Sequence, residues 1–180
     1  PGRSLTIVRP TVIFGERNRG NVYNLLRQIA SGRFVMVGDG ENVKSVAYVE
    51  NVAAFLVHAL SFGSGVHVYN YVDKPDMTMN ELVGIADRML DRDPARRVHF
   101  PYWLGYAGGL VFDVLARLTG RTYPISSIRV KKFCSNTQFA ADRVRDTGFV
   151  APVAIREALE RTIRYEFLED HPDERTFETE

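Results

Sequence analysis

The sequence predicts an α/β fold: the tail of a parallel sheet carrying an inserted, mostly helical lobe. Three observations lead there. Short β-branched runs alternate with segments of helical period in the first half of the chain. The second half is mainly helical in pattern. The 180 residues hold 45% apolar and 25% charged side chains, the ordinary balance of a globular domain with a real core.

Each element has its own signal. The run SLTIVR at 4–9 reads as a strand closed by Pro10, because the residue before a proline favours extended backbone. TVIFG at 11–15 is a second short apolar run. Asn21 stands before VYNLLRQIA, whose Val22, Leu25, Leu26 and Ile29 follow a helical period; Asn21 reads as its N-cap and Ser31-Gly32 as its end. Residues 34–37 form a strand, GDGE a turn and 43–49 a second strand, in which Lys44, Val46 and Tyr48 share one face. Glu50-Asn51 caps a helix over 52–60, and VHVYNYV at 66–72 is a strand. Thr78 and Glu81 have capping-box spacing ahead of a helix over 79–90.

Beyond residue 100 the pattern is helical. Segment 102–119 reads as one helix or two, with Gly108-Gly109 as its weak point. Residues 125–132 continue the lobe, 133–137 are extended, and 140–146 form a short helix stopped at Gly148. After Pro152 a long helix places Ile155, Leu159, Ile163 and Phe167 on one face. The acidic residues from Glu166 to the end read as a frayed tail over 169–180.

Composition excludes several function classes. Net charge is +1, and the one aromatic–basic cluster, RVKKF at 129–133, is short, so nucleic acid is not an expected partner. His58, His67, His99 and His171 lack metal-ligand spacing, so no metal site is expected. The single cysteine, Cys134, excludes an intrachain disulfide and fits a reducing, cytoplasmic setting. The most apolar stretch, YWLGYAGGLVF at 102–112, falls short of the roughly 20 residues that span a bilayer; burial is its first reading, with a membrane-surface or subunit contact as the other.

Chemistry-bearing motifs are sparse. Neither a dinucleotide-binding Gly-x-Gly-x-x-Gly nor a phosphate-loop motif occurs. Gly38-Asp39-Gly40 is a tight turn that can also bend the chain around a ligand. Lys44 reads either as a solvated strand-end lysine or as a point charge for a phosphate in a half-dry cleft. Asn21 at a helix start serves as a cap or bonds a ligand, and the adjacent N–H groups favour an anion.

The order of these motifs is familiar. LTIVRPTVIFG, a helix ending in ASG, then FVMVGDGENVKSVAYVENVA and a closing FCSNTQFAADRVRDTGFVAPVAIREALERTIRYEF resemble the carboxy-terminal half of the extended short-chain dehydrogenase/reductases, specifically the NAD-dependent epimerase/dehydratase group acting on nucleotide sugars. The resemblance runs over about 4–168. It implies Rossmann-like sheet elements over about 1–15 and 45–95, and a substrate-binding lobe over about 16–44 and 96–168.

By the same resemblance, Pro10, Thr11 and Val12 lie against the nicotinamide of NAD or NADP. Asn21, Val35, Val37, Lys44 and Arg129 meet the substrate, a nucleotide sugar such as a UDP-sugar. Lys44 stands where relatives commonly carry an Arg, and Asn51 where the element "YV-x-D-VA" carries an Asp. The family's Tyr-x-x-x-Lys pair is absent from the chain, so no catalytic residue is expected in it. The expected protein is therefore the substrate-side part of an epimerase or dehydratase whose missing N-terminal half holds the cofactor, inactive by itself, with a homodimer left open. Two alternatives stand beside it: an NAD(P)-dependent reductase or dehydrogenase on a non-nucleotide alcohol, and a non-catalytic sugar-nucleotide binding module.

Overall fold

Parallel pairing sets the architecture. A computed structural model of the chain describes residues 2–94, 97–121, 123 and 125–171. The part of the acidic tail beyond His171 lies outside the described residues.

The elements in chain order are β1 (Ser4–Pro10), β2 (Val12–Phe14), α1 (Asn21–Ala30), β3 (Val35–Val37), β4 (Val43–Lys44), β5 (Val46–Tyr48), α2 (Val49–Ala59) and β6 (Gly65–Tyr71). They continue with β7 (Met77–Thr78), α3 (Met79–Met89), β8 (Val98–Phe100), α4 (Tyr102–Thr119), α5 (Ser127–Cys134), α6 (Asp142–Arg145) and α7 (Ile155–Phe167). β1 runs parallel to β6, β2 to β5 and β3 to β8, while β4 pairs antiparallel with β7.

The main core gathers Phe14 and Tyr48 from the sheet, Leu26 and Ile29 from α1, Val83 and Ile85 from α3, and Ile155, Leu159 and Ile163 from α7. The i, i+4 apolar face read in α7 is thus the face that it buries. A second cluster joins Val52 and Phe55 of α2 to Tyr69 and Tyr71 of β6. Phe55 meets Tyr69 and Phe149 edge-on at 5.4 and 5.2 Å between ring centres.

The Thr78–Glu81 capping box forms as expected, and Gly32 takes the left-handed conformation that ends α1. Three expectations are corrected. Asn21 is the first helical residue of α1, not its cap; Gly20 precedes the helix, and no side chain caps it. The strand expected over 43–49 is broken at Ser45, whose N–H donates to the Thr137 carbonyl at 2.8 Å and whose hydroxyl donates to Asp76 at 2.6 Å. Its two parts pair with different partners, and Val46, Ala47 and Tyr48 are all buried because both faces are covered. Asn51 sits inside α2, which starts two residues earlier, at Val49.

Asn51 is fully buried, and its amide is a hub. Its Nδ2 donates to Asp73 at 3.0 Å and to the Val153 carbonyl at 2.8 Å, while its Oδ1 accepts from the Val153 N–H at 3.1 Å. Asp73 also accepts from the Tyr48 N–H at 2.6 Å and the Tyr71 hydroxyl at 3.0 Å. One carboxylate and one amide therefore join the start of α2, the end of β6 and the lead-in to α7.

The Asn51→Ala variant should lose about 3 kcal/mol of stability, because it removes one donor to the buried Asp73 and leaves the Val153 N–H and carbonyl without their partner; urea unfolding measures it. Acid behaviour divides between two aspartates. Burial raises the Asp73 carboxyl above the ordinary aspartate range, against three hydrogen bonds that lower it. Its contribution to stability is therefore present below that range and lost as pH rises through the raised value. Burial also pushes Asp76 up, but hydrogen bonds from Lys74, Ser45 and Gln138 outweigh it and the net shift is downward. Asp76 thus stabilises the fold above the ordinary aspartate value, and that contribution is lost as pH falls through the lowered one. The Asp76→Asn variant should show a flatter loss of stability than the parent chain between about pH 5 and pH 2, read from unfolding curves at stepped pH.

Candidate functional site

The turn 38–42, the foot of α4 and the end of α5 enclose a cleft of about 510 Å³, lined by Gly38, Asp39, Pro101, Tyr102, Lys131, Cys134 and Ser135. Gly38 and Gly40 carry φ angles of 85° and 75°, so the GDG turn needs glycine at both ends. The Glu41 N–H donates to Asp39 at 3.0 Å, and Asn80 donates to the Asp39 carbonyl at 2.8 Å, which fixes the turn against α3.

Lys44 stands beside this cleft. Its ammonium donates to the carbonyls of Lys132 and Ser135 at 3.0 and 2.6 Å, closing the C-terminal end of α5, where a cation is favoured. Burial lowers its pKa, and Cys134 acts in the other direction. The Cys134 thiol donates to the Val37 carbonyl at 3.2 Å, and burial pushes its pKa up; neither feature suits a nucleophile.

The structure brings part of the expected site together. Val35 and Val37 lie on β3, Lys44 on β4 and Arg129 in the first turn of α5, whose backbone N–H is capped by Ser126 at 3.2 Å. Val37, Lys44 and the end of α5 converge through the bonds just described. Asn21 is exposed at the start of α1 and shares no hydrogen bond with Lys44 among the described residues. The basic segment before it leans on α7: the Arg17 guanidinium donates to the Tyr165 hydroxyl at 3.1 Å, and Arg19 lies 4.0 Å from the Glu166 carboxylate.

Pro10, Thr11 and Val12 sit elsewhere, at the carboxyl end of β1. Open parallel sheets take their ligands at that end. The Thr11 N–H donates to the Tyr71 carbonyl at 3.2 Å. Its hydroxyl oxygen is buried and finds no partner among the described residues, while Pro10 and Val12 are exposed on either side. An orphaned hydroxyl between two exposed backbone positions fits a cofactor ring laid against this strand end.

Several cleft residues were not among the expected site residues: Asp39, Pro101, Tyr102, Lys131 and Ser135. The GDG turn was the available signal for Asp39. Pro101 and Tyr102 arrive by tertiary packing of α4, which local patterning does not encode. Among the described residues no cluster of metal-binding side chains occurs, and no helix is long and apolar enough to cross a membrane.

Residues 2–62 match the 3-beta hydroxysteroid dehydrogenase/isomerase family. The chain is 54% identical over 179 residues to N-acetyl-alpha-D-glucosaminyl-diphospho-ditrans,octacis-undecaprenol 4-epimerase of Escherichia coli O157:H7, covering 99% of this chain and 54% of that protein. It is 28% identical over 167 residues to 2-alkyl-3-oxoalkanoate reductase of Stenotrophomonas maltophilia, covering 86% of this chain and 49% of the reductase. The chain thus spans about half the length of the curated relatives it matches.

Among solved structures, UDP-glucose 4-epimerase of Thermotoga maritima superposes with a TM-score of 0.61 at 20% identity, over 91% of this chain and 47% of that one. Human epimerase family protein SDR39U1 with NADPH superposes with a TM-score of 0.62 at 18% identity, over 89% and 48%. Parallel strand pairs, a helical lobe and these superpositions show that the chain has the α/β fold of about half of each of these epimerase structures, and its first third is similar to the 3-beta hydroxysteroid dehydrogenase/isomerase family.

Proposed function

We propose that the whole protein is an NAD(P)-dependent 4-epimerase of a sugar carried on a diphosphate, and that this chain supplies its substrate-binding part. The observation that carries this reading is the 54% identity to an epimerase of a diphosphate-linked sugar, sustained over 99% of the chain. The cleft beside Lys44 supports it: Lys131 lines the wall, and the Asp39 turn closes one side. A sugar diphosphate held by a lysine in a half-enclosed cleft keeps its anomeric end fixed while the ring turns toward the carboxyl end of β1.

In this proposal residues 1–15 and 45–95 are the sheet side, and 16–44 and 96–168 the substrate side. Lys44, Lys131 and Arg129 face the diphosphate. Val35 and Val37 flank the group carried on it, and Asn21 borders the substrate region. Pro10, Thr11 and Val12 would hold the nicotinamide through this strand end. A nicotinamide cofactor bound there would supply reversible hydride acceptance next to the sugar carbon. The proton-transfer pair lies outside this chain, so the chain alone has no turnover.

The relative's substrate favours a polyprenyl diphosphate carrier over a nucleotide one; a UDP-sugar shares the same sugar–diphosphate end. A cytoplasmic site of action is part of the proposal. A second reading, an NAD(P)-dependent reductase or dehydrogenase acting on a non-nucleotide alcohol, rests on the match to the Stenotrophomonas reductase and on the apolar, exposed Val12.

The deciding test is the complete protein incubated with NAD and either UDP-N-acetylglucosamine or a short-chain polyprenyl diphosphate carrying the same sugar. Appearance of the C4 epimer supports the proposal, while no epimer from either substrate, together with net NADH production from a non-nucleotide secondary alcohol, favours the second reading. Lys44→Ala should weaken sugar-diphosphate binding by roughly 1.5–3 kcal/mol, the scale of a charged hydrogen bond, and Lys44→Arg should hold it. Calorimetric titration beside a melting curve reads both effects. Affinity within about twofold of the parent together with a lower melting point would make Lys44 a helix cap only.

A further inference from the structure

We infer that α4 is a membrane-docking helix that rests its outer face on an anionic bilayer. The helix has 18 residues, and among them only Gly109 is buried. Its inner face is Gly105, Gly109 and Asp113, at i, i+4 and i+8. A Cβ on Gly105 would come within 2.6 Å of Val37, and one on Gly109 within 2.6 Å of the Ser127 backbone. Asp113 accepts from the Ser127 N–H at 3.2 Å and from its hydroxyl. The opposite face is therefore fixed outward, and at 3.6 residues per turn it carries Trp103, Ala107, Val111, Val114 and Leu118.

That stripe is apolar along its whole length and open: Trp103 is 68% exposed and Leu118 78%. Leu110 and Leu104 widen it, and Ile125 and Ile128 extend it across the hairpin onto α5. A patch of this kind marks an interaction surface. Its surroundings select the partner. Arg117, Arg121 and Lys132 are exposed in segment 102–134, beyond the cleft-side Arg129 and Lys131, against the single acid Asp113, which is already engaged by Ser127. A tryptophan and leucine stripe flanked by basic residues fits an anionic lipid surface, on which it lies in the plane of the interface.

The cleft and the stripe adjoin along the chain. Tyr102 lines the cleft, and Trp103, the next residue, begins the stripe. A polyprenyl tail can stay in the bilayer while its diphosphate reaches Lys131. This last point rests on the lipid-linked reading of the substrate; the docking face itself does not.

Flotation of the complete protein with vesicles of equimolar phosphatidylcholine and phosphatidylglycerol tests the inference. Binding is expected to these vesicles, to weaken at high salt and to be much reduced with phosphatidylcholine alone. The double variant Val111→Glu, Leu118→Glu should bind roughly tenfold less, with an unchanged melting curve and unchanged turnover of a water-soluble sugar diphosphate. Absence of vesicle binding in the parent protein overturns the inference, as does equal binding by the variant. Dissociation of a vesicle-free dimer by the same variant overturns it in favour of a subunit contact. Vesicle binding without epimerisation of any sugar diphosphate upholds the docking face and removes the proposed activity; epimerisation of a lipid-linked sugar without vesicle binding does the reverse.

Discussion

The buried pair Asp73 and Asn51 is the constraint on which the architecture depends. Asp73 accepts from Tyr48, Tyr71 and Asn51, and Asn51 closes both backbone groups of Val153. Three segments distant in sequence meet at two side chains. An acceptor-only carboxylate inside a protein is tolerated only when donors surround it, and here each donor comes from the end or start of a regular element. Burial raises the Asp73 carboxyl and the Tyr71 hydroxyl alike, so the junction is held at an electrostatic cost that the three donors offset.

A second polar clasp mounts the helical lobe on that frame. Asp76 takes Ser45, Lys74 and Gln138; the Ser45 hydroxyl accepts from the Phe139 N–H; and Asn42 donates to the Phe133 carbonyl. The extended stretch after α5 is thereby laced to β4, with Thr137 exchanging backbone bonds with Val43 and Ser45. Lys44 closes the same lacing by capping α5. The cation beside the cleft is thus one that holds the cleft's wall in place.

Much of the frame was legible in the sequence because its elements announce themselves locally. The α7 stripe, the capping box at Thr78 and the strand ended by Pro10 follow from period, cap chemistry and backbone restriction. What the sequence concealed arises from partners far along the chain. The break at Ser45 depends on Asp76 and Thr137, so VKSVAYV reads as one strand until both are in place. Asn51 looks like a cap beside Glu50, but its partners at 73 and 153 pull it inside the helix. At the candidate site, Lys44 and the GDG turn stood out locally as a cation and a tight turn, whereas Tyr102 and Lys131 join them at the cleft only through the α4–α5 hairpin. The openness of α4 was the least readable feature, since an apolar run reports hydrophobicity and not what covers it.

The pairing of β1 has a practical consequence. Among the described residues it bonds to β6 alone, and Leu5, Ile7 and Val66 lie open on its flank. A seven-residue strand with one free margin offers its unused amides and carbonyls to any other extended chain. Produced in isolation, the polypeptide would be prone to self-association through that margin, so a handling strategy that supplies a matching strand from a co-expressed segment suits it better than dilution or detergent.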